Sequence, residues 1–256
     1  MQNLSLKIES VDPVLMKDKA YDKVAIIYND LMSPVNYNLW TDYILDIAAE
    51  QIDTHSKVLE LASGTCQMAE LFSKQYKNII ATDISLAMLK SNHNNNLNKI
   101  CCDMSMLPFN TSFDFIFCTF DSINYLLNQK QLRKLFAEVY SLLSLDGIFT
   151  FDVSLELNSL KFIEGSISKR EYAGYNYERV SRYNNRRRIH YNYFYIRSAS
   201  GKKIREVHKQ KIYDINVYYK LAEKTGFRIS EVYDCFTFDD VTSKSERAQF
   251  ILRKIN

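Results

Sequence analysis

Glycine and proline are scarce in this sequence, which has only 6 glycines and 3 prolines among its 256 residues. Each glycine therefore needs a local explanation. The sequence also contains no internal repeat and no low-complexity tract apart from the short loop "NHNNN". A chain of this length can bury a substantial core, so we expect one domain of catalytic size with an insertion.

Two features of membrane and exported proteins are missing. No apolar run approaches the roughly 18 residues that span a bilayer, and the opening "MQNLSLKIESVDPV" lacks a basic region followed by an apolar stretch. Lys and Arg number 33 against 30 Asp and Glu, which predicts no general attraction to nucleic acid or to anionic membranes. We expect a soluble cytoplasmic protein, either a monomer or a homodimer.

The cysteine spacing gives no support to a metal site. None of the five cysteines shares the C-x-x-C spacing that lets two thiolates bind one zinc ion. We therefore predict no metal ligands, and reduced, mostly buried thiols. The cysteines are Cys66, Cys101, Cys102, Cys118 and Cys235.

The apolar periodicity predicts an α/β fold. From Pro13 to about Ile52 the spacing is helical, with a break near Pro34. Five strand and helix units then alternate from "KVLELA" to "IFTFDV", and the helix before the last of these strands is predicted to end at Asp146-Gly147. This alternation predicts a mainly parallel sheet with helices on both faces.

The composition changes after Leu155. Three segments rich in tyrosine and β-branched residues follow, and we predict that they form three antiparallel strands. A helix and two last strands close the chain. The three segments are "REYAGYNYERVSRY", "RRRIHYNYFYIR" and "KKIREVHKQKIYD".

The stretch "KVLELASGTC" ends a predicted strand in a loop of small residues. Small side chains at positions 62 to 65 let backbone amides approach a ligand at the carboxyl end of the sheet. Asp83 ends the next strand, where its carboxylate could accept both ribose hydroxyls of a nucleoside. A dinucleotide fingerprint would need a third glycine at position 67, which is Gln67, and would not have an acid at Glu60. A nucleoside cofactor of another kind is therefore implied.

At this point the chain resembles the class I S-adenosylmethionine-dependent methyltransferases. "ELASGTC" is similar to their acidic, glycine-rich loop, "ATDIS" to the ribose-binding strand end, "CCDMSMLPF" to the adenine-binding segment and "LLSLDGIFTFDV" to the entry to the fifth strand. The likeness runs from about residue 20 to the end and is strongest from 57 to 153. "YDKVAIIYNDLM", "YNLW" and "DSINYL" resemble bacterial small-molecule methyltransferases, including sugar-amine and glycine N-methylating types.

The resemblance implies a Rossmann-like fold with a mainly parallel seven-stranded sheet, helices on both faces, an N-terminal helical lid and an inserted antiparallel sheet. It divides the chain into a lid (1–52), a cofactor-binding core (53–155), an inserted β cap (156–213) and the C-terminal part of the core sheet (214–256). The implied cofactor is S-adenosylmethionine, with S-adenosylhomocysteine as the product.

The resemblance also implies roles for the cofactor-site residues. Glu60 would engage the cofactor's amino group, Asp83 and Ile84 would hold the ribose and the adenine, and Asp103 and Met104 would meet the adenine. Phe120 and Asp121 would stand beside the sulfonium, and aromatic residues of the lid would reach the carboxylate. Glu60 could instead be a surface acid and Asp103 a loop acid, and the lid aromatics could belong to the core. Asp83 could instead be the N-cap of the helix "SLAMLK", although Ser85 is the better candidate for that role. The full predicted set is Tyr21, Tyr28, Tyr37, Trp40, Glu60, Ala62, Gly64, Asp83, Ile84, Met88, Asp103, Met104, Phe120 and Asp121.

Two residues depart from the family pattern. Ala62 and Cys66 stand where the loop usually has glycine, and a thiol facing the cofactor could weaken its binding. This departure keeps open a second interpretation, in which the protein is a non-catalytic S-adenosylmethionine-binding module.

Tyr125 and His208 are the catalytic candidates. Tyr125, with Asn124, would lie near the methyl acceptor, or the two residues would serve helix capping and core packing. Glu206, His208 and Gln210 alternate onto one strand face, which is either exposed or turned into the pocket. If His208 points inward, it could take a proton from an acceptor amine or hydroxyl.

We predict methyl transfer to an amine or hydroxyl of a small molecule. A cluster of arginines around the "NN" turn leaves an RNA methyltransferase as the alternative, although a solvated hairpin tip is the default interpretation. We do not expect nucleic acid or membrane as a partner. The cluster comprises Arg179, Arg182 and Arg186 to Arg188.

Overall fold

The computed structural model describes residues 21–255, so the part of the predicted lid before residue 21 lies outside the described residues. The helices are α1 (Tyr28–Leu31), α2 (Tyr37–Ala48), α3 (Gln67–Phe72), α4 (Leu86–Ser91), α5 (Gln129–Leu142), α6 (Glu156–Leu160) and α7 (Ile215–Thr225). The strands are β1 (Val58–Leu61), β2 (Ile79–Asp83), β3 (Asn98–Cys101), β4 (Phe113–Cys118), β5 (Leu143–Ser154), β6 (Ser166–Tyr172), β7 (Tyr175–Asn184), β8 (Ile189–Ser198), β9 (Lys203–Lys211), β10 (Phe227–Asp234) and β11 (Arg247–Lys254).

Seven strands form the main sheet, in the order β10-β11-β5-β4-β1-β2-β3. The strands from β1 to β5 pair in parallel, and β11 runs antiparallel to both β5 and β10. Strand β1 lies between β2 and β4, so the chain reverses its direction of winding there, at the point where α/β sheets bind ligands. The predicted fold class, a mainly parallel seven-stranded sheet with a separate antiparallel sheet, is confirmed.

Apolar side chains cover both faces of the main sheet. The apolar side chains of α5 are buried in one cluster, together with Phe149 and Phe151 of β5. A second cluster joins α2 and α3 to the other face, through Trp40, Ile44 and Phe72. Continuous burial of β1 and β4 on both faces explains why these strands read as unbroken apolar runs. Within residues 21–255, no helix is long and apolar enough to cross a membrane.

The inserted antiparallel sheet has four strands rather than the three predicted. Strands β6 to β9 pair in sequence order, because the segment "REYAGYNYERVSRY" turns back on itself. Ala173 and Gly174 both have left-handed φ angles, of 50° and 78°, and Tyr172 pairs with Tyr175 across them. Two left-handed residues in succession make the tight hairpin turn that matches strand twist.

The helix before β5 ends earlier than predicted. Helix α5 stops at Leu142, and Leu143 is already extended and pairs with Phe113 of β4. The register between β4 and β5 shifts after this pair, so Asp146 and Gly147 lie within an irregular start of the strand. The Asp-Gly pair was therefore wrongly interpreted as a helix end, because the buried position of Leu143 in the sheet outweighs the local stop signal.

Candidate active site

The loop after β1 is built from residues with left-handed backbone. Ala62, Gly64 and Cys66 have φ angles of 52°, 56° and 59°. A side chain at Gly64 would also be crowded, since its Cβ would lie 3.3 Å from Cε of Met88 and 3.5 Å from the hydroxyl of Tyr28. Only Gly64 adopts this conformation without steric cost, so Ala62 and Cys66 hold strain that the rest of the loop must offset.

Cys66 turns its thiol into the core. The side chain is fully buried in the cluster that includes Trp40 and Phe117. The thiol lies 3.5 Å from Oγ of Ser63 and 3.8 Å from the carbonyl oxygen of Gly64. Burial raises the pKa of Cys66 to about 12, so the thiol stays neutral. The thiol therefore packs into the core on the sheet side of the loop.

Two buried carboxyl groups lie at the ends of β1 and β2. Glu60 accepts a hydrogen bond of 3.0 Å from the amide of Ala69, in the first turn of α3. Burial raises the pKa of Glu60 well above its usual range; the Ala69 amide opposes this shift and nearby Asp83 adds to it. Burial likewise raises the pKa of Asp83. Burial thus disfavours the ionised forms of both acids and leaves two carboxyl groups close together at this edge of the sheet.

Asp83 ties the β1 loop to the start of α4. Its carboxylate accepts 2.8 Å hydrogen bonds from the amides of Gly64 and Ser85. The N-cap of α4 is Ser85, whose hydroxyl oxygen accepts from the amide of Met88, so Asp83 is not the cap. The Ser85 hydroxyl also lies 3.0 Å from a carboxylate oxygen of Asp22, which brings the N-terminal segment to this edge.

The ends of β2 and β3 supply the predicted adenine-side residues. Ile84 is 38% exposed, unusual for a large apolar side chain next to a buried acid. Asp103 accepts 2.8 Å hydrogen bonds from the amide and the hydroxyl of Ser105, while Met104 packs against the core. Asp103 thus shapes its own loop, and Ile84 is an exposed apolar side chain at the end of the neighbouring strand β2.

The turn after β4 is strained and anchored by ions. Phe120 and Asp121 are consecutive left-handed residues, with φ of 61° and 48°. The amide of Asp121 donates a 2.7 Å hydrogen bond to Asp152, and its carboxylate accepts from Gln210 at 2.9 Å and lies 3.3 Å from Arg247. These contacts hold the turn in place. Residues in such sparsely populated backbone conformations persist only where the surrounding structure holds them in this way.

Arg247 and Asp152, which lie directly beside the predicted site residue Asp121, were not identified from the sequence. Their ion pair joins β11 to β5, and Asp152 is fully buried. Burial raises the pKa of Asp152 to about 6, against the opposing effect of Arg247. Sequence spacing gives no signal for such a pair, because the two residues meet only through the antiparallel pairing of β11 with β5.

Aromatic rings close one side of the Phe120 turn. The ring of Trp40 lies 4.4 Å from that of Phe120, and the ring of Tyr37 lies 5.5 Å from it. The guanidinium of Arg247 stands over the Trp40 ring at 5.8 Å. Tyr28 meets Tyr21 edge to face at 5.4 Å. The structure thus brings all four predicted lid aromatics to the carboxyl end of the sheet, but Trp40 is also buried in the core.

The inward face of β9 carries a buried polar chain. Glu206, His208 and Gln210 are all buried, so the alternative of an exposed polar face is wrong. Nε2 of His208 lies 2.5 Å from Glu206, and Nδ1 lies 3.4 Å from the hydroxyl of Tyr125. That hydroxyl is 2.6 Å from the hydroxyl of Tyr21. Four side chains from three separate segments therefore form one hydrogen-bonded chain.

Glu206 also fastens the N-terminal segment to the inserted sheet. Its two carboxylate oxygens accept from the amides of Tyr21, Lys23 and Val24, at 2.5, 2.8 and 3.2 Å. Burial raises the pKa of Glu206, but the hydrogen bonds from His208 and from these amides outweigh that effect and lower it below its usual value. Glu206 is thus held as a carboxylate, which favours a proton on Nε2 of His208 and leaves Nδ1 as an acceptor.

Asn124 has the structural role that was the alternative to contact with an acceptor. It is fully buried, its side-chain amide donates to the carbonyl oxygens of Lys211 and Ser154, and its side-chain oxygen accepts from the amide of Ser154. These bonds join the end of β5 to the end of β9, and they give every polar atom of the Asn124 side chain a partner.

The predicted arginine cluster is divided. Arg186 and Arg187 are exposed at the tip of the hairpin between β7 and β8, as the default interpretation expects. Arg188 instead pairs with Glu156 at 3.1 Å and donates to the carbonyl oxygen of Ile212. The cluster therefore does not form one continuous basic surface.

Comparison with known proteins finds similarity to methyltransferases. A family model described as a methyltransferase domain matches residues 58–147. A protein of Geobacillus sp. (strain WCH70) that is assigned as a methyltransferase is 26% identical over 245 residues, a match that covers 91% of this chain and 99% of that relative.

Solved structures extend the likeness to the whole fold. The crystal structure of an S-adenosylmethionine-dependent methyltransferase from Clostridium acetobutylicum ATCC 824 is 25% identical, covers 93% of this chain and 100% of its own, and superposes with a TM-score of 0.78. The sugar N-methyltransferase KedS8 from Streptoalloteichus sp. ATCC 53650 has a TM-score of 0.77 over 97% of this chain and 100% of its own, at 14% identity. The likeness to KedS8 concerns the fold alone.

Proposed function

We propose that this chain, which is a class I S-adenosylmethionine-dependent methyltransferase, transfers the methyl group to an amine or a hydroxyl of a small molecule. The observation that carries the proposal is the hydrogen-bonded chain of Tyr21, Tyr125, His208 and Glu206. It begins at the buried Glu206 and ends at the half-buried Tyr21, between the inserted sheet and the N-terminal segment. Such a chain can receive a proton from an acceptor that must become a neutral nucleophile.

The carboxyl end of the main sheet fits the cofactor on two counts. Gly64 has no side chain, so the loop backbone is bare beside the side chains of Met88 and Tyr28, which a Cβ would crowd. Glu60 and Asp83 are buried acids whose pKa values are raised, and a bound cation would relieve the cost of ionising them. When bound, S-adenosylmethionine supplies a methyl group on a positively charged sulfur, together with an ammonium and a ribose.

We assign holding roles to the residues at this edge. Glu60 binds the amino group, Asp83 accepts from the ribose hydroxyls, and Ile84 provides an apolar surface for the adenine. Each carboxylate oxygen of Asp83 has a second lone pair, so its bonds to the amides of Gly64 and Ser85 leave acceptor capacity. Asp103 and Met104 complete the adenine side, and Gly64 with Ala62 gives the loop its close approach.

The aromatic side of the site excludes water and favours a cation. Phe120, Tyr37 and Trp40 pack together beside the strained turn, and the faces of such rings attract positive charge. Asp121, held by Arg247 and Gln210, fixes the turn that presents Phe120. Alignment in a dry pocket supplies most of the catalysis that an in-line displacement needs.

The proton is handled on the inserted-sheet side. Burial keeps the pKa of Tyr125 above its usual range, so its hydroxyl passes a proton along rather than holding a negative charge. Nδ1 of His208 takes the proton from that hydroxyl, while Glu206 holds the ring and balances the imidazolium. The Tyr21 hydroxyl lies at the far end of the chain, and we assign it to the acceptor side. The Tyr21 amide also lies 3.4 Å from Nε2 of His208, but its shorter bond is to Glu206.

The connection between the N-terminal segment and the inserted sheet indicates the size of the acceptor. The inserted sheet and the N-terminal segment are fastened together by Glu206, which favours an enclosed acceptor over a polymer. The fold likeness to KedS8, a sugar N-methyltransferase, is compatible with an amine on a sugar-sized molecule.

The first test is binding. Isothermal titration calorimetry with S-adenosylmethionine and S-adenosylhomocysteine should give saturable heats, and NAD should give none. Asp83→Ala should weaken the binding of S-adenosylhomocysteine by about 1.5–3 kcal/mol, the range for hydrogen bonds to a charged group. Asp146→Ala, which removes an exposed acid, is the matched control and should change nothing. An Asp83→Ala variant with unchanged affinity would move the ribose site elsewhere.

The second test is turnover. Release of S-adenosylhomocysteine is measured with a panel of amino sugars, simple amines and small hydroxyl compounds. Acceptors of this class should be methylated, and His208→Ala should lower kcat for them. Tight cofactor binding with no turnover across the panel would instead support the non-catalytic module.

A further inference from the structure

The outward face of the inserted sheet is separate from the proposed acceptor pocket. Side chains of β7, β8 and β9 alternate, so that Glu206 and His208 point inward while Arg205 and Val207 point outward. Every inward residue of β9 from Glu206 to Gln210 is buried, and Arg205 is exposed. Nothing bound on the outward face would therefore contact the buried chain at His208.

Three tyrosines form a line on this outward face. Tyr191, Tyr193 and Tyr195 are alternate residues of β8, which places them about 6.6 Å apart along the strand. The rings of Tyr191 and Tyr193 are nearly parallel, at an interplanar angle of 12°, and Tyr195 is 40% exposed. Their hydroxyls form no hydrogen bond with any other of residues 21–255. The line thus presents ring surface and free hydroxyls to the solvent.

Basic residues flank the tyrosine line. Arg205 lies opposite Tyr195 in the register and stands 5.4 Å from its ring. Lys169 is paired with Glu178, whereas Lys203, Arg197 and Arg205 form no ion pair with any of residues 21–255. Cations outnumber acids on this face: Lys169, Arg182, Arg197, Lys203, Arg205, Lys209 and Lys211 against Glu171 and Glu178.

A cavity crosses the face where these features meet. It has a volume of about 630 Å³, and its lining includes Lys169, Tyr195, Arg197, Lys203 and Arg205. Glu178, which is paired with Lys169, is the single acid among the lining residues within 21–255. An occupant must therefore complement both positive charge and aromatic ring surface.

Charge selects among the possible occupants. A second copy of this chain would present the same positive face and be repelled. Residues 1–20 carry three lysines (Lys7, Lys17, Lys19) against three acids (Glu9, Asp12, Asp18), so they offer no excess of negative charge. Single-stranded nucleic acid satisfies both requirements, because its phosphates pair with cations and its unpaired bases stack on aromatic rings.

We propose that the outward face of the β6–β9 sheet binds single-stranded RNA, with bases on Tyr191, Tyr193 and Tyr195 and phosphates on the flanking cations. This goes beyond the proposed methyl transfer, and the bound strand is not the methyl acceptor, because it lies on the opposite side of the sheet from His208.

The experiment uses the full chain and a fluorescently labelled twelve-nucleotide uridine oligomer, with binding followed by anisotropy. Affinity should fall steeply between about 50 and 200 mM salt. Tyr195→Ala should weaken binding about 5- to 150-fold, which corresponds to about 1–3 kcal/mol for one stacked base. The double variant Lys203→Ala/Arg205→Ala should lower the log–log salt slope by about 1.4, or about 0.7 for each lost phosphate contact. A duplex of the same length should bind more weakly.

The matched control is Arg186→Ala/Arg187→Ala, which removes the same charge from the hairpin tip and should leave affinity within about twofold. All variants should retain S-adenosylhomocysteine binding, which shows that they are folded and separates this test from the proposed function. The proposal is overturned if the oligomer does not bind at low salt, or if the hairpin-tip variant is as weak as Lys203→Ala/Arg205→Ala. It is also overturned if Tyr195→Ala has no effect while polyglutamate competes fully, since the face would then recognise charge alone, as an acidic protein would require.

Discussion

The proposed site has a main-sheet side, which holds the cofactor, and an inserted-sheet side, which handles the proton, and different interactions hold each side in place. At the carboxyl end of the main sheet, the backbone itself is shaped: Ala62, Cys66, Phe120 and Asp121 all have left-handed φ angles. On the inserted-sheet side the site residues of β9 lie in a regular antiparallel ladder, and side-chain hydrogen bonds centred on Glu206 provide the order. The first side is preorganised by strain, the second by a polar network.

This difference assigns different tasks to the two sides. A strained, ion-anchored backbone is suited to a ligand that is always the same, because its geometry cannot adapt. Side chains on a regular strand can be exchanged without changing the ladder, which suits an acceptor that differs between relatives. Mutations at the main-sheet side should therefore act on stability and cofactor binding, and mutations on the inserted-sheet side should act on stability and proton handling without changing cofactor binding.

The largest expected effect comes from the ions under the Phe120 turn. Arg247→Met leaves the fully buried Asp152 without its cation and should lower the free energy of unfolding by about 3–5 kcal/mol, measured by urea denaturation. Because burial has already raised the pKa of Asp152 to about 6, loss of Arg247 raises it further. A group with a raised folded-state pKa loses its contribution to stability as the pH rises, so the deficit should be larger at pH 8 than at pH 5.

Arg228→Met, which removes an exposed arginine of β10, is the control and should cost less than about 0.5 kcal/mol. Adding Asp152→Asn to Arg247→Met should recover part of the loss, because the uncompensated carboxyl group is gone. A deficit equal to that of the control, or independent of pH, would show that the ion pair does not hold this side.

The second prediction concerns the polar network. Glu206→Gln removes the charge that accepts from three backbone amides and from His208, and should destabilise the fold by about 1–3 kcal/mol at pH 7. The pKa of Glu206 is lowered in the folded state, so its contribution is complete above the ordinary value near 4.5 and is lost as the pH falls below it. In Glu206→Gln the free energy of unfolding should therefore not show this decrease as the pH falls.

Glu178→Gln is the matched control, since Glu178 lies on the outward face of the same sheet in a partly exposed pair with Lys169. Its effect should stay within about 0.5 kcal/mol. If Glu206→Gln and Glu178→Gln have the same pH dependence of stability, the network does not order the inserted-sheet side.

Local sequence patterns predicted the cofactor side of the fold well. The alternation of strands and helices, the loop at Gly64 and the acids Glu60 and Asp83 follow from periodicity and from residues next to each other in the chain. Ser85 was the better candidate for the N-cap, and the structure confirms it. Such features depend on backbone preferences that act within a few residues.

The features that were missed depend on distant contacts. Arg247 meets Asp121 and Asp152 across the sheet, and Glu206 meets amides 182 to 185 residues away. The direction of the Cys66 thiol depends on its packing against α2. The sequence of the loop alone does not predict this contact. The hairpin at Ala173-Gly174 was available in the sequence as a turn signal, but the tyrosines around it read as one continuous strand.

The third prediction tests strain in the loop. Ala62→Gly should stabilise the protein by about 0.5 kcal/mol, because relief of a left-handed alanine, worth about 1–2 kcal/mol, exceeds the entropic cost of glycine, about 0.5–1 kcal/mol. Ala87→Gly, the same change inside α4, should instead destabilise by about 1 kcal/mol. Thermal denaturation of both variants decides the sign, and a loss in both would mean that Ala62 is not strained.

The smallest expected effect is the sharpest test of the division between the two sides. Tyr125→Phe removes the hydroxyl that links Tyr21 to His208 but leaves the loop, the acids and the strained turn untouched. Calorimetry should therefore find the affinity for S-adenosylhomocysteine within about threefold of the unmodified protein, a change below about 1 kcal/mol. His208→Ala should leave the affinity equally unchanged, because Glu206 still holds the amides of the N-terminal segment.

Transfer to an acceptor should slow in both variants, since the proton then lacks its route. If either substitution abolished cofactor binding while circular dichroism showed an intact fold, the polar network would have to be part of the cofactor site, and Tyr21 would be the residue through which the two sides act as one.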